Sequence, residues 1–100
     1  MPAMEFENDD QYYKWLADNP AGFVLNTSRD CPPHYMVLHR ASCRHISDPT
    51  HENEPGGFTE RRYIKVAATY IESLRDWVAE YGRVDRSFSK ACSHCKPIVP

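Results

Sequence analysis

Four cysteines and five histidines are the residues of this chain best equipped for chemistry. Cys92-Ser93-His94-Cys95 sets two thiols in a C-x2-C pair within a polar, Lys-bearing tail. Two thiolates at that spacing fit one tetrahedral ion at about 2.3 Å each, with the backbone turning tightly between them. The main competitor, a redox C-x-x-C, usually opens a helix whose positive end acidifies the first thiol. Here Lys96-Pro97 follows at once, so no such helix is expected and the metal reading leads.

A closed site needs a second pair, and His39-Arg40-Ala41-Ser42-Cys43 supplies it. His39 ends a predicted strand. If the chain then turns helically, residues i and i+4 share a face and can grip one ion. His39, Cys43, Cys92 and Cys95 then make a zinc set of three thiolates and one imidazole, of the kind that is structural rather than catalytic. The plain alternative makes His39 a hydrogen-bonded core histidine and Cys43 a small buried apolar residue. Cys31-Pro32-Pro33-His34 has C-x2-H spacing and could replace the first pair, but its paired prolines stiffen the turn. His45 and His94 flank the four and could substitute, whereas His51 reads as solvated. Nothing local marks Cys31 or Cys43 as a nucleophile.

The elements that must position these groups follow from periodicity and punctuation. A helix is expected from Asn8 to Asp18, with Asn8 as cap and Tyr12, Trp15 and Leu16 on its buried face. Asn19-Pro20 and Gly22 stop it. Phe23-Val24-Leu25 and Tyr35 to His39 read as an antiparallel hairpin across a turn-rich connection. Ser47 to Thr59 reads as a long, mobile loop. Tyr63 to Ala68 alternates as a third strand, with Ile64, Val66 and Ala68 on one face and Tyr63 and Lys65 on the other. Thr69-Tyr70-Ile71-Glu72 has the capping-box pattern, and Tyr70, Leu74, Trp77, Val78 and Tyr81 form the stripe of a second helix ending at Gly82. The expected fold is a single α+β domain over residues 1–100, in which a three-stranded antiparallel sheet packs with two helices and a structural zinc closes the tail. From Arg83 onward little apolar material is available to offset ordering, roughly 1–2 kcal/mol per backbone residue. A metal bond to the hairpin's end would anchor that tail.

Composition bounds the rest. With 100 residues, 41% hydrophobic and 26% charged, the chain reads as one globular domain. No apolar run approaches the roughly 20 residues that span a bilayer, and the acidic Met1 to Asp10 stretch lacks the pattern of a signal peptide. A cytoplasmic, reducing home is therefore expected, in which four cysteines favour metal over disulfides. The net charge of −2 hides segregation: residues 1–18 hold five acids and one Lys, whereas residues 61–100 hold eight bases and four acids. That split is either a solvated surface or a basic face for an anion. Arg40, Arg44, Lys90 and Lys96 flank the metal candidates and form the anion or nucleic-acid candidates.

Asn19-Pro20-Ala21-Gly22-Phe23-Val24-Leu25-Asn26, Leu38-His39-Arg40-Ala41-Ser42-Cys43 and Cys92-Ser93-His94-Cys95-Lys96-Pro97 together resemble a family of small, largely uncharacterised bacterial zinc-domain proteins. The likeness spans most of the chain and implies His39, Cys43, Cys92 and Cys95 as metal positions; it carries no activity with it. The functional expectation is a non-catalytic zinc-bearing interaction module, its partner a protein ahead of a nucleic acid and not a membrane. The alternative is a metal-dependent hydrolase or nuclease, using His45 or His94 with a water and Glu52 or Glu54.

Overall fold

The computed structural model describes residues 3–48 and 56–98. Its elements in chain order are β1 (Met4–Glu5), α1 (Asp9–Asp18), β2 (Phe23–Ser28), β3 (Met36–Arg40), α2 (Arg44–Ser47), β4 (Tyr63–Ala68), α3 (Ile71–Glu80) and β5 (Lys90–Ala91). The class is α+β. The expected three-stranded antiparallel sheet is corrected to a five-stranded mixed sheet in the order β1-β4-β2-β3-β5. Its centre is antiparallel: Val24 stands opposite His39 on one side and Ala67 on the other. The edges are two-residue strands, β1 antiparallel to β4 and β5 parallel to β3. Two residues carry no readable alternation, which is why these strands escape a periodicity search.

Alternation divides the sheet into two faces. Leu25, Leu38, Met36, Ile64 and Val66 meet Leu74, Trp77 and Val78 of α3. On the other face Val24 and Ala67 meet Tyr12 and Trp15 of α1, and this cluster extends through Cys43, Ile46, Phe58 and Cys92. Asn8 caps α1 as expected, accepting from the Gln11 N–H at 2.9 Å. Gly22, following α1, is required by close approach: a Cβ there would stand 2.7 Å from the Trp15 ring and 3.0 Å from the Ala68 carbonyl. The capping box at Thr69 does not form, because Tyr70 is the residue preceding α3 and makes no side-chain cap. Tyr70 is 65% and Tyr81 41% exposed, so the buried stripe of α3 is narrower than expected.

The expected loop over 47–59 is described only in part. Ser47 belongs to α2, and Phe58 and Thr59 are buried; residues 49–55, with His51, Glu52 and Glu54, lie outside the described residues. Charged side chains pin the returning backbone. The buried Asp9 carboxylate accepts from the N–H groups of Phe58 and Thr59 and from the Thr59 hydroxyl. Lys65 Nζ donates to the Phe58 carbonyl at 3.0 Å and to Asn26 Oδ1 at 2.8 Å. Lys65, on the face opposite Ile64 and Val66 as expected, is buried: Phe58 lies over it, and its ammonium has polar partners that offset desolvation.

Candidate metal centre

The centre forms where the β3 end meets the tail. β3 delivers His39 as its penultimate residue, and the chain then turns, with the Cys43 N–H bonded to the Arg40 carbonyl at 3.0 Å. Cys43 itself is extended and precedes α2 without using its side chain as a cap. The expected helical i, i+4 face is therefore corrected. His39 is still in a strand, and a tight turn rather than a helix brings the two donors together. From the other side, the Cys92 N–H extends the β5 pairing to the Leu38 carbonyl at 2.9 Å. The Lys96 N–H closes a turn onto the Cys92 carbonyl at 3.0 Å, with Lys96 in the left-handed region at φ 47°.

One donor atom from each of His39, Cys43, Cys92 and Cys95 lies within 4.8 Å of the others. The Cys43 and Cys92 sulfurs are 4.0 Å apart, close to the roughly 3.8 Å edge of a tetrahedron with 2.3 Å metal–sulfur bonds. All four cysteines are free thiols. Nδ1 of His39 is buried without a hydrogen-bond partner, and such an orphan is destabilising unless something satisfies it. Burial first, then the charges of Lys65, His45 and Lys90, hold the His39 imidazole down to about 4, so it is neutral at pH 7 with a lone pair to offer. Burial raises the Cys92 thiol, but the N–H groups of Cys95 and His94 outweigh it and the net direction is down. Burial and the neighbouring sulfurs push Cys43 up to about 12. The residues present fit a soft-to-borderline tetrahedral ion.

Arg40, an expected phosphate contact, is engaged here instead. Its backbone N–H points at Cys95 Sγ at 3.2 Å, and its guanidinium donates to the carbonyls of Cys95 at 2.8 Å and Lys96 at 2.9 Å. It is a positioning residue that fastens the C-x2-C turn to β3. The signal was available: a cation beside one ligand can serve the turn that carries two others. Arg44 pairs with Asp48 at 3.3 Å, and Lys90 and Lys96 are exposed. His45 and His94 sit ring to ring, centroids 4.3 Å apart, at the rim of a 410 Å³ cleft that reaches Cys43 and Cys95. Cys31 takes no part, since it packs with the α3-face cluster across the sheet. No helix among the described residues is long and apolar enough to cross a membrane. In comparison with known proteins, the chain matches no family model, no curated protein and no solved structure.

Proposed function

We propose that this chain is a zinc-stapled binding module with no catalysis of its own. The observation that carries it is the convergence of three thiols and one imidazole, all from the protein and within 4.8 Å of one another. Zinc suits a donor set of three sulfurs and one nitrogen better than the oxygen-seeking divalent ions do. Four protein donors complete a tetrahedron, which supports a structural ion rather than an open coordination position for a water. When bound, the ion supplies a cross-link between the β3 turn and the tail. His39 and Cys43 hold one side, Cys92 and Cys95 the other, and Arg40 keeps the second pair in register. Free, unbridged thiols accord with a reducing cytoplasmic setting.

The test is metal content of the purified chain by elemental analysis, before and after Cys92→Ser. One zinc per chain, lost in the variant, is the expected result. A metal-free protein of unchanged melting behaviour would overturn the proposal. One zinc retained in Cys92→Ser would overturn the ligand set.

A further inference from the structure

We propose that the sheet's α1 face, at the end away from the metal donors, binds single-stranded nucleic acid. This deepens the binding-module reading by naming the partner. The α1 aromatics cover Val24 and Ala67, but four residues further along β2, about 13 Å at strand rise, Ser28 stands beside Tyr63. There the rings of Tyr35 and Tyr63 lie 6.0 Å apart, both only partly buried, and the Arg62 guanidinium sits 5.8 Å over the Tyr63 ring. Beside them opens a cleft of about 620 Å³ lined by Arg29, Arg61, Arg62 and His34, with Asp30 its one acid. Arg29 is fixed by bonds from Nε to the Arg61 carbonyl at 3.0 Å and from a terminal nitrogen to the Thr59 carbonyl at 2.9 Å. Two donors of its fork are used, and the rest of a pre-oriented guanidinium remains for an anion.

The chemistry of this surface has two parts. Arginines bind phosphate oxygens in a forked geometry, and tyrosine rings on a sheet offer a platform for bases. A duplex hides its base faces, so the rings favour an unpaired strand. An acidic peptide would use the arginines and leave the rings idle. The net charge of −2 does not oppose this, because acids collect elsewhere: Glu5, Asp76 and Glu80 line a separate cleft beside α3. This end, unlike the surroundings of the four His/Cys donors, sets arginines beside two partly exposed tyrosine rings.

The experiment is a filter-binding titration of the full chain, its metal content measured, with an end-labelled 12-nucleotide single strand, its duplex and a poly-glutamate peptide, at several salt concentrations. The single strand should bind best, with a slope of log K on log salt of about −2, from three arginines at about 0.7 each. Arg61→Glu with Arg62→Glu should weaken binding at least a hundredfold. Tyr63→Leu should weaken it about tenfold with the salt slope unchanged, since stacking releases no counterions. Lys14→Glu, on the exposed surface of α1, should leave it as it was. Should the double reversal misfold by circular dichroism, Arg62→Ala must still reduce both affinity and slope. No binding at low salt, preference for the duplex or the peptide, or indifference to these substitutions overturns the proposal. If one metal per chain is present in that case, the zinc-module reading stands and this one falls; binding by a metal-free chain has the opposite meaning.

Discussion

On the α3 face of the sheet, Leu25, Leu38, Val66, Leu74 and Val78 are all fully buried and need nothing from one another but proximity. On the α1 face, equally buried apolar groups share their space with Asp9, His39, Lys65 and three thiols. Hydrophobic burial is non-directional, so the first face tolerates small displacements. Each polar group on the second needs a particular partner at a particular distance, or it destabilises the fold. Asp9 and Lys65 find theirs in the backbone of Phe58 and Thr59. His39, Cys43, Cys92 and Cys95 converge on one point, and their proposed partner is an ion. One face is stable on its own terms, and the other is stable on conditions.

That contrast can be tested by disturbing each face separately. The largest effect should come from Cys92→Ser, or from a chelator on the unmodified chain: a loss of more than about 4 kcal/mol in denaturant melts. Cys31→Ser, across the sheet, should cost about 1 kcal/mol or less. Similar losses for the two would erase the distinction between the faces.

Next in size is the metal-free protein in acid. His39 is held at about 4 when folded, against 6.5 for the free side chain, so the unfolded chain binds the extra proton between these values. Stability therefore rises with pH across that window and is lost as pH falls through it, by about 3 kcal/mol in all. Urea melts of the chelated protein at pH 7 and pH 4, with and without His39→Gln, isolate this contribution. A pH dependence that His39→Gln leaves unchanged would assign the acid sensitivity elsewhere.

Leu74→Ala probes the apolar face and should cost about 3 kcal/mol, the same with chelator as without. A chelator-dependent value would mean that the two faces are energetically coupled through the sheet. The smallest effect is sought at Lys96, whose φ of 47° is a conformation that glycine adopts without strain. Lys96→Gly should stabilise the metal-loaded form by about 0.5 kcal/mol, offset partly by the greater freedom of the unfolded chain. Destabilisation would show that the lysine side chain itself serves the turn.

The same contrast explains what the sequence made legible. The stripes of α1 and α3 are burial patterns with a helical period, and β4 was legible from the alternating residue types of Tyr63 to Ala68. The convergence of His39, Cys43, Cys92 and Cys95 was legible because coordination chemistry restricts residue type as well as spacing. Strands of two residues have no period, so β1 and β5 escaped, and with them the mixed topology. The capping box at Thr69 was a correct motif without its structure, since Tyr70 rather than Thr69 directly precedes the helix. The burial of Lys65 and the bonding of Arg40 were not legible, for one shared reason. A charged side chain reads as outward until the backbone carbonyls that receive it are known, and these come from residues 58 and 95–96.

The distribution of the two tryptophans has a practical consequence. Trp15 lies in the cluster that contains Cys43 and Cys92, while Trp77 packs on the opposite face and stacks on Tyr81, ring centroids 4.1 Å apart. The chain thus carries one indole fluorophore on each side of its sheet, and each is shielded from solvent by a different kind of packing. Emission from a Trp77→Phe protein would follow the metal side alone, and emission from Trp15→Phe the apolar side alone. A stopped-flow pair of such proteins, mixed with chelator, would time how quickly the loosening of one side is felt by the other.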